Sequence, residues 1–388
     1  MVYCKICDSW DCGIEEHHFH IGKTLNKKEF SGSSPPEIFV GKWNYPNVYA
    51  GILSPEEYGD TKIMSSPEEW HKNQLPIQSI LQQRNKLIYA RTTTNIKSLQ
   101  EKFTTILQEV AMTHKSISAE FKLKRPIFPN REQDPKVPLI SNAAELSQAR
   151  LQENPSIKPK VEYLVNDIHV KSQDAIKELN KSGIETTTIS KILSAGLLGI
   201  KKNRKLVPTK WSITAVDDIL SKSKLEKIRF FPELNEILLF SAYYLGNHYE
   251  FLLLPGSYSF EVIELSMSSQ GVWQDYESIL PRKKYADSVT GAYYVNRLAL
   301  TEYLEKIKRQ CRCIVFREVR PEYNVPLGVG ILRQVSREAF SKNPEKPSSL
   351  NEALLSIQKR IKSPISIFTK KSVILNQKES QQSITRFF

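Results

Sequence analysis

The amino-acid sequence predicts an α+β fold, with helices concentrated in the middle of the chain and an antiparallel sheet in its C-terminal half. The apolar residues between positions 99 and 110 recur at intervals of four, three and four, which is one face of a helix, at Leu99, Phe103, Ile106 and Val110. Residues 236–265 instead contain three apolar or alternating runs separated by short turns, a pattern typical of an antiparallel meander.

The other predicted elements follow from the same kinds of pattern. Helical periodicity covers residues 75–112, 142–152, 170–198 and 292–309, and short apolar runs predict strands at 38–41 and 313–319. Four prolines between positions 124 and 140 indicate irregular or extended chain.

The C-terminal region changes character again. Residues 340–349 are rich in Ser, Pro and Lys, which indicates a linker. Ser349 and Glu352 have the spacing of a capping box, so we predict an amphipathic helix over 350–362. Residues 363–380 are polar without a sustained period, and we expect them to be flexible.

Composition indicates an intracellular protein with a polyanionic partner. The 388 residues are 40% hydrophobic and 25% charged, which is enough for packed cores in two or more domains. The formal charge of +13 arises from 55 Lys and Arg against 42 Asp and Glu, and it favours nucleic acid. The sequence has no apolar stretch of about 20 residues and no N-terminal secretory signal. We therefore expect a cytoplasmic, nucleoid-associated protein with no membrane partner.

A cluster of Cys and His residues near the N-terminus predicts a structural zinc site. Cys4, Cys7, Cys12 and His17 supply three thiolates and an imidazole within 14 residues, the tetrahedral set that zinc prefers. His18 or His20 could replace His17 as the fourth ligand. The alternative is a chance cluster in a mobile terminus, but the chain has only two other cysteines, Cys311 and Cys313. Those two enter an apolar run and are expected to be core residues.

A cationic stretch in the middle of the chain is a candidate for DNA binding. Its charged and aromatic members are Lys201, Lys202, Arg204, Lys205, Lys210 and Trp211. Lysine and arginine neutralise phosphates, and an exposed indole ring is a surface on which a base stacks. The alternative is a solvated basic loop that leads into a core helix.

Several carboxylates could support a second function, metal-dependent cleavage of DNA. The candidates are Asp217, Asp218, Glu261 and Asp275, which could hold Mg²⁺ or Mn²⁺ near a phosphate. Glu261 and Glu264 differ in parity along a strand and would face opposite sides, whereas Asp275 and Glu277 would share a face. Acidic residues are more often solvated or salt-bridged, so the enzyme remains the alternative hypothesis.

Other polar residues carry weaker signals. His248 lies in a Gly-Asn-His turn, where we expect an exposed side chain. Tyr294 and Arg297 are three residues apart on a helix and could present a hydroxyl and a guanidinium together, although core packing fits equally well. The sequence has no Gly-x-x-x-x-Gly-Lys-Ser/Thr loop, which argues against a nucleotide-binding regulator.

The last eight residues resemble the peptide that binds the sliding clamp PCNA. The pattern of a Gln, an aliphatic residue and two aromatics is complete at Gln381, Ile384, Phe387 and Phe388. One helical turn places the last three side chains on one side, as an apolar plug for a groove on a partner. The resemblance implies that Gln381 forms a hydrogen bond beside that groove. The alternative is that the phenylalanines pack on this protein's own core.

The chain as a whole resembles the archaeal Nre family of DNA-repair proteins. The similarity covers roughly residues 1–338 and the tail, and it rests on these phrases: 204–218, Phe39-Val40-Gly41 with Tyr45-Pro46, Phe260-Glu261-x-x-Glu264, 291–298, and Arg317-Glu318-x-x-Pro321-Glu322-Tyr323. Lys210 stands where we expect Arg in many members, which keeps the charge but loses bidentate phosphate geometry. The resemblance implies a role in DNA repair, including crosslink damage, and binding to PCNA, with no detailed chemical mechanism.

We therefore predict a zinc-stabilised DNA-repair protein that binds DNA and is recruited by PCNA, with a metal-dependent nuclease as the alternative. The predicted regions are a zinc-binding module at 1–30 packed on the body, a mainly helical region at 31–200, an antiparallel sheet with helices at 201–338, a linker at 339–380 that carries the helix 350–362, and the PCNA-interacting peptide at 381–388.

Overall fold

The computed structural model describes residues 26–129, 137–140, 142–280 and 282–380, and the backbone of residues 3–4 and 9–10. Within these ranges, residues 128–129 and 377–380 are described by their backbone alone. The chain forms two compact units. Unit 1 comprises Met1–Trp70, Leu75–Ile213 and Asn324–Gly328, and unit 2 comprises His71–Gln74, Thr214–Tyr323 and Val329–Phe388.

The strands and helices are numbered in chain order. The strands are β1 (Tyr3–Cys4), β2 (Ser9–Trp10), β3 (Glu29–Ser34), β4 (Ile38–Val40), β5 (Asn47–Ser54), β6 (Ile88–Asn95), β7 (Ile117–Leu123), β8 (Phe128–Pro129), β9 (Asn142–Leu151), β10 (Leu238–Tyr244), β11 (Asn247–Leu254), β12 (Ser259–Ser266), β13 (Val272–Glu277) and β14 (Arg312–Val319). The helices are α1 (Pro67–Lys72), α2 (Ile77–Asn85), α3 (Lys102–Met112), α4 (Pro159–Asn166), α5 (Ser172–Lys181), α6 (Thr186–Ser194), α7 (Thr209–Ile228), α8 (Gly291–Ile307), α9 (Val329–Ser341), α10 (Leu350–Arg360), α11 (Ile365–Lys371) and α12 (Val373–Ser380). Within the described ranges, none of these helices is long and apolar enough to cross a membrane.

Unit 1 is built on a seven-stranded sheet rather than on the helices that the sequence predicts for 31–200. Its strand order is β3-β7-β9-β6-β5-β4, and β8 pairs with β9. The predicted helix at 142–152 is wrong, because this alanine-containing segment is strand β9. It pairs with β6 on one side and β7 on the other, and this pairing outweighs its helical propensity.

The helices of unit 1 agree better with the sequence. The predicted helical region 170–198 contains α5 and α6, and the region 75–112 contains α2 and α3 with strand β6 between them. Helix α6 packs against both α3 and α5. The buried Arg84 of α2 donates from Nε to the Leu139 carbonyl at 2.9 Å and from Nη1 to the Met64 carbonyl at 3.2 Å.

Unit 2 contains a five-stranded mixed sheet in the order β10-β11-β14-β12-β13. The three predicted strands between 236 and 265 are present, but they do not form an antiparallel meander. Strand β14 lies between β11 and β12 and runs parallel to β12. The six residues from Cys313 to Glu318 are all buried, which fits a central strand covered on both faces. Cys311 and Cys313 are buried free thiols, as predicted.

The sheet of unit 2 is covered by helices on both faces. Helix α8 packs on β12, and α9 packs on β10 and β11. The other face is covered by α10, α11 and α12, whose apolar side chains join one core cluster with β11, β12 and β14. Ser349 caps α10 by accepting from the Glu352 N–H at 3.2 Å, which confirms the predicted helix start.

The expectation that residues 363–380 are flexible is wrong, because they form α11 and α12. Phe368 is completely buried, and its ring meets Phe316 edge-on with centroids 5.6 Å apart. Ile374 of α12 is buried in the same cluster. These helices are difficult to predict from the sequence because each is only seven or eight residues long. Consequently, the peptide at 381–388 directly follows a packed helix.

Candidate nucleic-acid interface

The chain segment before α7 is held by hydrogen bonds to other parts of unit 1. The Leu206 N–H donates to the Ile96 carbonyl at 2.8 Å, and the Val207 N–H donates to the Ser194 carbonyl at 3.0 Å. Thr209 accepts from the Val40 N–H at 2.9 Å through its hydroxyl, which ties the start of α7 to strand β4. Residues 204–209 are therefore a fixed support for the side chains that project from them.

Two aromatic rings from distant parts of the sequence meet beside this segment. Tyr45, in the turn between β4 and β5, and Trp211, in the first turn of α7, have ring centroids 5.5 Å apart. Their side chains are 42% and 45% exposed. The Lys205 ammonium lies 3.4 Å from the Tyr45 hydroxyl. Exposed rings beside an ammonium group can stack on nucleic-acid bases while the ammonium neutralises a phosphate.

The same turn supplies a third exposed ring. Trp43 is 58% exposed, and the Lys42 ammonium lies 4.6 Å from the centroid of its ring. We refer to Lys42, Trp43, Tyr45, Lys205 and Trp211 as the basic-aromatic surface. All five residues belong to unit 1.

Further lysines extend the positive charge of this surface. Lys201 and Lys202 are exposed in the 3₁₀ turn Lys201–Asn203. Lys97 is exposed and follows Ile96, the residue that accepts from Leu206. Within the described part of the chain, Lys201, Lys202 and Lys205 have no carboxylate at ion-pair distance. Solvated ammonium groups of this kind remain available to phosphates.

The six predicted DNA-binding residues differ in how accessible they are. Lys201, Lys202, Lys205 and Trp211 are exposed, and Lys210 is half-buried. Arg204 is used inside the fold, because its guanidinium donates to the Gly199 carbonyl at 2.7 Å and to the Asp167 carbonyl at 2.8 Å. The sequence does not place Lys42, Trp43 or Tyr45 at this site, because only the fold brings the β4–β5 turn beside residue 211.

The four candidate catalytic carboxylates have separate structural partners. Asp217 is buried, and its carboxylate accepts hydrogen bonds from Nε and Nη2 of Arg333, at 3.0 and 2.8 Å. Asp218 pairs with the buried Arg297 and with Lys222 at 2.8 Å. Both acids therefore neutralise cations within unit 2.

The other two carboxylates hold backbone segments. Glu261 accepts from the Ser372 hydroxyl and from the Val373 N–H at 2.9 Å, which fixes the start of α12, and burial raises the pKa of its carboxyl. Asp275 accepts from Arg282 at 2.9 Å and from the Val289 N–H at 2.7 Å. Neither residue presents a free carboxylate to a ligand.

The predictions that Glu261 and Glu264 face opposite sides of their strand and that Asp275 and Glu277 share one face are confirmed. Ile263 and Leu265 face the α10–α12 layer, and Glu261 reaches α12 on that face, whereas Glu264 pairs with Arg317. Asp275 and Glu277 are both buried on alternate positions of β13. Even so, the described residues contain no group of three or more His, Cys, Asp or Glu side chains that could hold a metal ion.

The remaining polar candidates are buried. His248 lies in β11, contrary to the expectation of an exposed loop residue, and its Nε2 is 2.8 Å from Glu250. Burial raises the pKa of Tyr294 to about 12, and its hydroxyl accepts from the Ala286 N–H at 2.9 Å. Burial alone would lower the pKa of Arg297, but the carboxylate of Glu277 keeps it above its ordinary value. These residues stabilise the core of unit 2.

Two family models match this chain, and together they cover most of its length. The family model described as archaeal Nre, N-terminal, matches residues 6–274. The model described as archaeal Nre, C-terminal, matches residues 277–387 and therefore continues through the region predicted to be a linker. The chain belongs to the archaeal Nre family.

Similar Nre proteins align over nearly the whole chain. DNA repair protein NreA of Archaeoglobus fulgidus is 31% identical over 370 residues, which are 92% of this chain and 93% of the relative. NreB of the same organism is 31% identical over 90% of both chains. NreA of Haloferax volcanii is 28% identical over 91% of this chain and 88% of the relative. No solved structure gives a significant match.

Two predicted sites of this Nre chain lie outside the described residues. The backbone of Cys4 is part of β1 and pairs with Ser9, but the zinc-ligand side chains at Cys4, Cys7, Cys12 and His17, with the alternatives His18 and His20, are not described. The PCNA-binding positions Gln381, Ile384, Phe387 and Phe388 are likewise outside the described ranges. Both sites stay predictions from the sequence.

The pairing of Asp217 leads to a prediction about stability. Replacing Asp217 by Ala leaves the Arg333 guanidinium buried without its carboxylate, so the free energy of unfolding should fall by about 3–5 kcal/mol. Urea denaturation followed by circular dichroism measures the change. The control is Glu236→Ala, which breaks an exposed ion pair with Lys346 and should change stability by less than about 1 kcal/mol. Equal stabilities of the two variants would contradict the structural role of Asp217.

Proposed function

We propose that this Nre chain is a DNA-repair factor that binds single-stranded DNA through the basic-aromatic surface and is brought to the PCNA clamp by residues 381–388. The observation that carries the proposal is the pair of exposed rings, Tyr45 and Trp211, beside the Lys205 ammonium. The names of the Archaeoglobus and Haloferax relatives support a role in DNA repair.

Single-stranded DNA suits this surface better than duplex DNA. Unpaired bases can leave their own stack and lie on aromatic rings, and each such contact contributes about 1–3 kcal/mol to binding without regard to sequence. The rings of Trp43, Tyr45 and Trp211 are large, exposed and held by short connections to strand β4 or helix α7. Their anchoring lowers the entropy that would otherwise be lost on binding.

The lysines supply the electrostatic part of the interaction. Neutralising each phosphate of a single strand releases counterions, so the logarithm of affinity should fall with the logarithm of salt concentration. Lys201, Lys202 and Lys205 are exposed close to Trp211 in the sequence. The net charge of +13 for the whole chain acts in the same direction.

The alternative of a metal-dependent nuclease receives no support from the carboxylates. Asp217, Asp218, Glu261 and Asp275 are each committed to arginines, lysine or backbone N–H groups. To bind Mg²⁺ or Mn²⁺, these acids would have to give up buried partners. Stabilisation of the fold is the simpler role for all four.

Removing the Trp211 ring tests the binding surface. Trp211→Ala should weaken binding of a fluorescein-labelled oligothymidine by about tenfold, because one stacking contact is lost. Fluorescence anisotropy at fixed ionic strength measures the affinity. A matched control is Phe230→Ala, which removes an aromatic side chain that is 87% exposed in unit 2.

A Lys205→Gln variant separates charge from stacking in the same assay. Loss of one phosphate contact should reduce the slope of log affinity against log salt by about 0.7. Unchanged affinity in Trp211→Ala, or an equal loss in Phe230→Ala, would exclude this surface as the principal DNA site.

We also propose that residues 381–388 dock in an apolar groove of PCNA. The sequence supports this through the complete spacing of Gln381, Ile384, Phe387 and Phe388. Burying these three apolar side chains could contribute about 5 kcal/mol before ordering costs. Because α12 is packed, the connection to unit 2 is much shorter than the flexible stretch that the sequence suggested. A short connection restricts how far the clamp can lie from unit 2.

The aromatic pair should decide whether the tail binds. The double variant Phe387→Ala/Phe388→Ala should abolish co-elution with PCNA in size-exclusion chromatography, because the plug loses most of its apolar area. Ser383→Ala alters a position between the anchors and should retain co-elution. Co-elution of the double variant at the wild-type level would show that another surface binds the clamp.

We propose that the N-terminal cluster holds one structural zinc ion. Three thiolates and one imidazole form a closed set of four ligands, which leaves no position for a substrate. Elemental analysis should find one zinc per chain, and the variant Cys4→Ser/Cys7→Ser should lose it, while Cys311→Ser should retain it because that thiol is buried elsewhere. A zinc content unaffected by the Cys4 and Cys7 substitutions would contradict the site.

A further inference from the structure

A cavity in unit 1 is lined by none of the residues of the basic-aromatic surface. It has a volume of about 110 Å³ and lies at the N-terminal end of α6, between the segment that precedes α1, the end of α3 and the start of α4. Thr187 and Thr188 line it from α6, and Lys158 and Val161 line it from the start of α4. The volume is sufficient for a small polyatomic ion rather than for a nucleotide.

The hydroxyl of Ser65 is the first sign that a ligand belongs in this cavity. Ser65 lines the cavity, its residue is only 2% exposed, and its Oγ has no hydrogen-bond partner in the described part of the protein. A buried hydroxyl without a partner is costly, because folding removes it from water without replacing the lost hydrogen bonds. A ligand with acceptor oxygens would satisfy it.

The N-terminus of α6 favours a negative ligand at the same place. The first N–H groups of an α-helix have no acceptor within the helix, and they carry the positive end of its dipole. The residue before the helix, Glu185, does not cap it with its side chain. The N–H groups of Thr187 and Thr188 and the hydroxyl of Thr188 therefore belong to a helix end of the kind that binds phosphate.

Three lysines add positive charge to the cavity wall. They are Lys62, Lys158 and Lys191. Lys191 pairs with Glu37 at 2.8 Å, and Lys62 lies 3.7 Å from Glu185. The ammonium of Lys158 is exposed and has no partner in the described ranges, so it is available to a ligand.

The two acidic residues that line the cavity do not make it a cation site. Glu68 already accepts from the Thr187 hydroxyl and from the Ser66 hydroxyl, the latter at 3.3 Å. The carboxylate of Glu185 faces Lys62. The unsatisfied groups that remain, the hydroxyl of Ser65 and the ammonium of Lys158, are donors.

We propose that this cavity binds a phosphate group, either as free inorganic phosphate or as the terminal phosphomonoester of a DNA strand. In both cases the same tetrahedral oxygens accept from Ser65, from the first turn of α6 and from Lys158. The site requires neither Tyr45 nor Trp211, so it stands independently of the proposed single-strand surface.

Titration calorimetry of the full-length protein with inorganic phosphate, against sodium chloride of equal ionic strength, tests the site. The wild type should bind one phosphate, and Ser65→Ala and Lys158→Ala should each weaken binding by about tenfold, as expected for one hydrogen bond to a charged group. The control Lys160→Ala removes a lysine of the same helix that pairs with Glu178 outside the cavity, and it should bind normally.

The thermal stability of Ser65→Ala shows whether a loss of phosphate binding comes from the site or from unfolding. Ser65→Ala removes no hydrogen bond of the fold and removes an unpartnered buried hydroxyl, so its thermal midpoint should equal or exceed that of the wild type. Absence of saturable phosphate binding, or wild-type binding by Ser65→Ala or Lys158→Ala, would overturn the proposal.

Oligonucleotides then identify the source of the phosphate. Tighter binding of a 5′-phosphorylated strand than of its 5′-hydroxyl form, lost in Ser65→Ala, assigns the site to DNA ends. Equal binding of the two strands, together with phosphate binding in the calorimeter, assigns it to the free ion. Trp211→Ala should leave the phosphate titration unchanged, so failure of the single-strand surface and failure of this site are distinguishable.

Discussion

The requirement that a buried guanidinium be paired organises unit 2. Arg297 and Arg333 are each 1% exposed, and an unpaired charge at such a position would cost several kcal/mol. Arg333 forms an ion pair with Asp217, and Arg297 forms ion pairs with Glu277 and Asp218. These pairs join helices α7, α8 and α9 to strand β13. Two of the acids that the sequence offers as catalysts, Asp217 and Asp218, therefore balance the charge of buried arginines.

The exposed charge near residue 205 of unit 1 comes from lysines. Lys205 belongs to the basic-aromatic surface, and Lys201 and Lys202 are exposed a few residues before it. Arg204 binds two backbone carbonyls and fixes its loop, so Lys205 and Trp211 project from a rigid support. Exposed rings with solvated ammonium groups suit a partner that has phosphates and unpaired bases.

The sequence predicted those parts of the fold that depend on local patterns. Helices α5, α6, α8 and α10 and strand β14 have strong periodicity or capping signals, and the structure contains them. The sequence does not predict strand β9, because its extended conformation depends on pairing with β6 and β7. It does not predict α11 and α12, because they are held by contacts distant in the sequence, such as that of Phe368 with Phe316. The meeting of Tyr45 with Trp211 is a similar case: each residue was visible, but the 5.5 Å between their rings is a property of the fold.

Photo-crosslinking tests whether single-stranded DNA contacts the basic-aromatic surface, as we propose. An oligonucleotide carrying 5-iodouracil would be irradiated on the full-length protein, and the attached peptides identified by mass spectrometry. If DNA binds this surface, crosslinks should form at Trp43, Tyr45 or Trp211. Crosslinks confined to unit 2, for example at Trp273, which is 38% exposed, would contradict it.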